Sequence, residues 1–501
     1  MTGLRVGTPP VTPAVGLTDR QKVVLALILT GQFMAVLDGT IVTVALPTIR
    51  RDLGATGADL QLIVAGYITA YAVLLITGAR LGLRFGFRTT FLSGLALFTV
   101  ASLACGLAPT SGALIATRIA QGVGGALMVP QVFSLIQREF IGRARGVAVS
   151  AWGATLALGG VVGQVAGGIL VTADLFGTGW RPVFLVNVPI GIALLVAGRR
   201  FLPVDQPSRA RPLDLAGLVT VATAVLLLVV PLVLGAEQGW PAWTILSLLG
   251  SALAFVLFGW VERRVDRRGG SPLIAERVLR APGFGFAMVA VVLALAALGG
   301  FLFTFTQHLQ LGLGDSALVA GLTFVPQAVA FAAASLLWQR LPTRWHGRII
   351  PVGCGAAAAG YALIAISVAG GQNGGLLAGA LVVLGLSQGL ISSPMLTVAL
   401  SGVAREDAAD GSGVITTAVQ LGLVLGVATF GSVFLARAAV PGPHPTADAM
   451  TFTLGLIIIA ILVCGAAALA MLRAQRPSTT LGALADGRDA EGSPGTPRRA
   501  D

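Results

Sequence analysis

Asp38 stands in AVLDGTIVTVALP (residues 35–47), inside an otherwise apolar run from Val23 to Ile49. Arg118, in LIATRIAQGVGGA (114–126), is the other charge lying well inside an apolar span. Inserting such a side chain at the middle of a membrane helix costs about 2.5–3.5 kcal/mol on translocon scales, so these residues are usually paired or functional. Asp38 lies about ten residues before the outer end of its span and Arg118 about seven after the outer start of its own, which at 1.5 Å per residue gives both a similar depth. The pair therefore has the makings of a proton site: burial opposes the carboxylate charge and the guanidinium favours it. The alternative is a structural ion pair that locks two spans together. Metal or cofactor chemistry has little to work with, because His308, His346 and His444 are scattered. Cys105, Cys354 and Cys464 each fall in an apolar run and read as small buried hydrophobes, without a disulfide framework or metal spacing. No metal and no cofactor is expected, and a membrane-integral enzyme finds no catalytic cluster.

Elements that hold two charges at that depth must be membrane helices. The 501 residues are 55% hydrophobic and only 11% charged, with a mean hydropathy of +0.88, where a soluble chain carries roughly a quarter charged residues. Fourteen apolar spans are legible, at about 23–48, 60–80, 89–107, 111–135, 146–172, 182–199, 214–235, 242–261, 284–307, 317–338, 349–370, 375–400, 412–437 and 450–472. The expected fold class is an all-α polytopic membrane protein. Of the Arg and Lys residues, 28 fall in the tails and one set of alternate loops, against four (Arg50, Arg51, Arg181 and Arg437) on the other side. By the positive-inside rule both termini are cytoplasmic. The net charge of +12 is thus topological and calls for no nucleic-acid partner. Trp180, Trp240, Trp243, Trp260, Trp338 and Trp345 sit near span ends, where interfacial anchors are found.

Long polar connections bracket spans 7 and 8. The chain divides into a disordered tail (1–20), a six-helix bundle (21–200), an inserted helix pair (201–270), a second six-helix bundle (271–475) and a disordered tail (476–501). ARLGLRFGFR (79–88) after span 2 is weakly echoed by QRLPTRWHGR (339–348) after span 10, as in the duplicated halves of secondary transporters. GGVVGQVAGG places Gly159, Gly163 and Gly167, then Gly160, Gln164 and Gly168, at four-residue spacing. That spacing lets helix backbones approach closely, for packing or at a moving interface. Polar lining of a central cavity is open to Gln32, Tyr67, Tyr71, Gln121, Gln131, Gln164, Thr304, Gln307, Gln327, Gln388 and Gln420. Each glutamine serves equally well as a bridge between helices.

With these residues in hand, the chain resembles the major facilitator superfamily, specifically its fourteen-helix drug:proton antiporter branch. LDGTIVTVALP is similar to the branch's first-helix signature through Asp38, Thr40, Val44, Ala45 and Pro47. LIATRIAQGVGGA matches the fourth-helix motif through Arg118, Gln121, Gly122, Gly124 and Gly125, and Gly159, Gly163, Gly167 and Gly168 match the fifth-helix antiporter motif. WRPVFLVNVPIG (180–191), TQHLQLGLGDSALVAGL (306–322) and GSGVITTAVQLGLVLG (411–426) resemble further stretches of the branch, so the likeness runs from about 20 to 472. The loop after helix 2 keeps Arg80, Gly82, Arg84, Gly86 and Arg88. Its usual Asp and later Arg are Leu83 and Phe87, and its leading Gly is Ala79. The usual Pro of the antiporter motif is Gln164, and His308 stands where Tyr is common.

The resemblance implies a major facilitator fold of fourteen helices, two six-helix bundles plus the inserted pair. It implies an inner-membrane, monomeric exporter of lipophilic, often cationic drugs or antibiotics. The proton gradient would drive it, with Asp38 carrying the proton and Arg118 assisting. Its partners would be a small-molecule substrate, protons and the lipid bilayer. Loss of the loop Asp implies a cytoplasmic latch that is weaker or differently built. The C-terminal half offers no second deep acid, which speaks for one proton per cycle and against divalent cations. Rival readings are an exporter dedicated to one endogenous metabolite, and a non-transporting sensor with the same fold. The topology is directly testable: a cysteine near 373 is expected to react with impermeant maleimide from outside, and one near 270 only from the cytoplasm. Reversed labelling overturns the orientation, and labelling from one shared side overturns the span count between them.

Overall fold

Capping side chains start several of the helices, each accepting from one of the N–H groups that a first turn leaves unpaired. Thr18 and Gln21 form a reciprocal capping box, as do Thr56 and Asp59; Thr110 and Ser316 cap two more helices. Gly54 ends the first helix at φ 62°. Gly86, at φ 92°, is the single residue that separates the second helix from the third.

The computed structural model describes residues 17–475, apart from 205–213, 236–237, 269, 271, 273–275, 343–344, 346, 370–375, 402 and 404–407. The expected tails therefore lie almost wholly outside the described residues, although Asp19 and Arg20 already belong to the first helix. In the first half, α1 is Asp19–Leu53, α2 Gly57–Phe85, α3 Phe87–Gly106, α4 Ser111–Glu139 and α5 Gly142–Ala173; α6 is Pro182–Phe201. Then come α7 (Leu215–Leu234) and α8 (Ala242–Arg267). In the second half, α9 is Phe284–Gly312 and α10 Ala317–Leu337. They are followed by α11 Ile349–Val368, α12 Leu377–Ser401, α13 Ala408–Ala438 and α14 Pro445–Ala474. A short helical turn, Glu276–Leu279, precedes α9. Thirteen of these are long and apolar enough to cross a membrane on their described residues. The fourteenth, α5, has 32 residues. Both α9 and α13 contain a π-helical turn, His308–Gly312 and Val427–Gly431.

Packing repeats from one half to the other. In the first, α2 and α3 lie on α4, α1 on α5 and α3 on α6; in the second, α10 and α11 lie on α12, α9 on α13 and α11 on α14. The inserted pair packs on itself through Ser251 Oγ to Ala224 O (2.8 Å) and Ser247 Oγ to Leu227 O (3.1 Å). Its α7 leans on α2, while Leu246, Leu249, Leu253 and Val256 of α8 face outward. The halves meet where α5 lies on α10 and α2 on α13. Three polar bonds close that seam at the end of the bundle carrying the α1–α2 loop. Gln310 Nε2 donates to Val44 O (2.9 Å), Leu318 N to Thr172 Oγ1 (3.2 Å) and Ser432 Oγ to Gln61 Oε1 (3.0 Å).

Two tryptophans correct the expectation of interfacial anchors. Trp180 is fully buried and donates to Asp52 Oδ2 at 2.8 Å, and Trp338 is buried with its N–H on Ser393 Oγ at 3.0 Å. Each indole found a polar partner inside the protein, which replaces the headgroup layer. Trp240, Trp243, Trp260 and Trp345 are exposed, as anchors require.

Glycine sets the helix spacing. A methyl at Gly124 of α4 would lie 2.6 Å from Phe98 N, and one at Gly94 of α3 would lie 2.6 Å from Met128 N. Neither backbone can yield without parting the helices. Gly124→Val is accordingly expected to remove most of the monodisperse peak in fluorescence-detected size exclusion. Gly112→Ala, which meets nothing within 4 Å, is expected to leave that peak intact.

Candidate functional site

Helix α4 presents Arg118 and Gln121 three residues apart, hence on one face, and that face is turned toward Asp38 of α1. Arg118 Nη1 forms an ion pair with Asp38 Oδ2, and both side chains are fully buried. Arg118 Nη1 also donates to Gln121 Oε1 (2.6 Å), and its Nε donates to Ile63 O (3.0 Å). The guanidinium lies over the Tyr67 ring, 4.2 Å from its centroid, with Phe184 at 5.6 Å. Tyr67 is itself anchored by its hydroxyl to Ala35 O (3.0 Å). The second carboxylate oxygen, Asp38 Oδ1, accepts from Gln121 Nε2 (2.8 Å) and from Asn187 Nδ2 (2.9 Å). Ser102 Oγ of α3 accepts from the same two amides, at 2.6 and 3.3 Å.

Thus α1, α2, α3, α4 and α6 all contribute to one polar knot. Burying a charge pair is tolerable only when its remaining donors and acceptors are met. Here Arg118 Nη2 and Asn187 Oδ1 are the two atoms of the knot left without a partner among the described residues. Such an arrangement can lock the helices together, or it can take up a proton on a desolvated carboxylate whose partner cation has other contacts to fall back on.

The polar candidates separate into distinct roles. Gln121 belongs to the knot, which corrects its place as cavity lining: its side chain bonds Asp38, Arg118 and Ser102, and Cys105 Sγ donates to its Oε1 at 3.7 Å. Gln131 ties α4 to α2 through Gly78 O (2.8 Å) and is likewise withdrawn from a cavity. Gln164, where the antiporter motif usually has Pro, donates to Thr43 Oγ1 (3.1 Å) and so bridges α5 to α1. Gln32 accepts from Trp152 Nε1 (3.3 Å), and Tyr71 stacks parallel to Tyr67. Thr304 is buried on its own helix carbonyl, Gly300 O. Gln307 is fully buried with neither amide atom partnered among the described residues. Gln327 and Gln388 bond one another at 2.9 Å, and Gln420 is half-buried on α13. His308 is buried against Thr446 Oγ1 at 3.2 Å.

Of the motif glycines, Gly159, Gly163 and Gly167 line up along α1. Methyl groups there would meet Val36 Cγ1 (2.8 Å), Leu37 O (2.8 Å) and Ile41 O (2.7 Å). Gly168 faces the other half instead, with Ala317 O at 2.7 Å. In the loop after α2, Arg80 bonds Pro272 O and Arg88 bonds Arg199 O. Arg84 lies over Phe85 at 5.4 Å, and a methyl at Gly82 would strike Gln131 Oε1. Leu83, in the place of the usual Asp, points outward at 42% exposure.

Sequence reasoning missed Asn187 and Ser102. Asn187 carried a signal, a lone amide inside the apolar span at 182–199; Ser102 carried none.

The family model for the Major Facilitator Superfamily matches residues 28–427. The chain belongs to the major facilitator superfamily. Similar members include a probable actinorhodin transporter of Streptomyces coelicolor, 37% identical over 86% of this chain and 74% of the relative. The cephamycin export protein of Amycolatopsis lactamdurans is 35% identical over 82% and 84% of the two chains. The puromycin resistance protein of Streptomyces alboniger is 35% identical over 85% and 84%. The fold matches a bacterial homologue of the human lysosomal transporter Spinster with a TM-score of 0.67, at 16% identity, covering 92% of this chain and 99% of that one. Superfamily membership makes this a multi-pass membrane transporter.

Breaking a buried pair by deleting one partner costs about 3–5 kcal/mol, because the survivor stays charged in low dielectric. Arg118→Ala is therefore expected to lower the yield of folded protein sharply, and Arg118→Lys less so, since it keeps the charge but loses the fork. Pairing Asp38→Asn with Arg118→Gln removes both charges and is expected to restore the yield. A double variant as poor as Arg118→Ala would show that packing, not charge, sets the loss.

Proposed function

We propose that the protein is a proton-driven efflux transporter of the fourteen-helix drug:proton antiporter branch. It exports lipophilic, often cationic, drugs or antibiotics across the bacterial inner membrane, with both termini in the cytoplasm. The observation that carries this reading is the Asp38–Arg118 knot, the one ion pair among the described residues with both side chains fully buried. With that orientation the seam closed by Gln310, Leu318 and Ser432 is the outer one, and substrate enters from the cytoplasm. Asp38 takes a proton from outside, its bond to Arg118 weakens, and bound substrate leaves. Loss of the proton toward the cytoplasm restores the pair and the affinity. Gln121, Ser102 and Asn187 hold the carboxyl in place through both states, because an amide pair can serve either protonation form. The glycine face of α5 and the loop residues Arg80, Gly82, Arg84, Gly86 and Arg88 serve the conformational change. The chain works as a monomer, with the gradient in place of any cofactor.

A narrower reading, export of a single metabolite made by the host, draws support from relatives named for one compound each: actinorhodin, cephamycin and tetracenomycin C. Proteoliposomes with an imposed pH gradient separate these possibilities from a non-transporting protein. Wild type is expected to move ethidium against its gradient, and Asp38→Asn to abolish that movement. Its folded yield is expected to fall less than that of Arg118→Ala, because Asn keeps the shape and Arg118 keeps Ile63 O, Gln121 and the Tyr67 ring, and transport is compared at equal amounts of monodisperse protein. Uphill transport by Asp38→Asn with normal pH dependence would make Asp38 a structural charge.

A further inference from the structure

The second half contains a counterpart of the charged knot. Gln388 of α12 stands in SQGL as Gln121 of α4 stands in AQGV, each followed by glycine. A methyl at Gly122 would strike the carbonyl of Tyr67 on α2, and one at Gly389 would lie 2.6 Å from the carbonyl of Phe331 on α10. One turn earlier, Arg118 bonds the carbonyl of Ile63, four residues before Tyr67. Correspondingly, Gly385 abuts the carbonyl of Gln327, four residues before Phe331. The third helix follows suit: Gln121 Nε2 reaches Ser102 Oγ on α3 (2.6 Å), and Gln388 Nε2 reaches Tyr361 OH on α11 (3.1 Å). Six positions on three helices thus correspond across the pseudo-repeat.

What differs is charge. The place of Arg118 is taken by Gly385, which has no side chain, and Gln388 is met instead by Gln327 Nε2 at 2.9 Å. The surroundings are aromatic, with the Phe301 ring 5.5 Å from Tyr361 and 6.2 Å from Phe324. Gln327 is 5% exposed, and its Oε1 has no partner among the described residues. A buried amide oxygen without a donor is costly to keep, so this atom is an open acceptor.

We propose that Gln327, Gln388 and Tyr361 form an uncharged subsite for the transported molecule, in which Gln327 Oε1 accepts from an N–H or O–H of a lipophilic aromatic ligand. This rests on the transport reading above and adds what it lacked, a feature that selects among lipophilic substrates. Gln388 and Tyr361 position the Gln327 amide so that its nitrogen is spent and its oxygen is free. A site built to meet a donor discriminates against an analogue without one, because the polar atom is then left unpaired.

Two lipophilic monocations test it. Rhodamine 6G bears secondary amine N–H groups, and rhodamine B ethyl ester bears only tertiary amines on the same ring system. In proteoliposomes Gln327→Met is expected to raise KM for rhodamine 6G about tenfold, the effect of one lost hydrogen bond. KM for the ester should stay within about twofold, and transport of both should still require the pH gradient. Equal change for the two dyes, or none for either, overturns the subsite. If Gln327→Met does not fold, Gln327→Asn withdraws the oxygen while keeping the amide, and the same split between dyes decides. If wild type moves neither dye, the transport reading is what has failed. Fluorescence polarisation of the two dyes on detergent-purified protein then decides the subsite alone: selective weakening of rhodamine 6G by Gln327→Met supports it, and no selectivity overturns it.

Discussion

Everything in the first half answers to the cost of holding Asp38 and Arg118 in a medium that does not solvate charge. Neither is affordable alone, so each must face the other, and the leftover donors and lone pairs must find partners on neighbouring helices. Those partners come from α1, α2, α3, α4 and α6. The helices named in this knot cannot move independently without unpairing a buried polar atom. The remaining helix, α5, makes no contact with the knot that the described hydrogen bonds record. It lies on α1 through Gly159, Gly163 and Gly167, whose bare backbone meets Val36, the Thr40 hydroxyl and the carbonyls of Leu37 and Ile41 with no side chain of its own between. In the proposed mechanism, a displacement of α1 driven from Asp38 would press directly on α5. Through Gly168 and Thr172, α5 reaches α10 of the other half.

Much of this was legible in the sequence because membrane insertion leaves so few options. The spans follow from hydropathy alone, and the pairing of Asp38 with Arg118 followed from depth, since two helices running in opposite directions placed their only charges at one level. Rotation about the helix axis was not legible. The spacing puts Gln121 on the face of Arg118, but nothing in the string says whether its amide closes on Asp38 or lines a cavity; the structure closes it, 2.8 Å from Asp38 Oδ1. Asn187 lies 149 residues from Asp38, and only three-dimensional convergence brings the two together. Trp180 misled for the same reason. Its position near a span end fits a headgroup anchor, but Asp52 at the end of α1 offers its indole a closer acceptor.

The halves share a scaffold but not an electrostatic task. In the second, the corresponding positions hold amides, a phenol and aromatic rings, so no charge needs compensation and no knot forms. The polar bonds that cross the seam also divide unevenly. Gln310 lies within the π-helical turn of α9, and Ser432 follows directly on that of α13. A π turn adds a residue to the helix repeat and redirects the side chains after it, and such turns recur at functional positions. Both π turns thus lie where a second-half side chain meets a first-half acceptor across the seam.

Under the proposed mechanism, the knot gives a reason why one proton would suffice to expel a cation. With Asp38 ionised the pair is neutral, and a monocation nearby meets little net field. With Asp38 protonated, Arg118 keeps the Tyr67 ring, Ile63 O and Gln121, so its charge stays where it was but without its counter-ion. A monocation about 8 Å away is then repelled by about 2 kcal/mol at an effective dielectric near 20, which weakens binding about 30-fold. Proton uptake and drug release are coupled in this scheme through one guanidinium, without any contact between drug and proton. A neutral substrate would escape that repulsion and would have to be released by the change of shape alone, so in the proposed mechanism charged and uncharged cargo would be released by different steps.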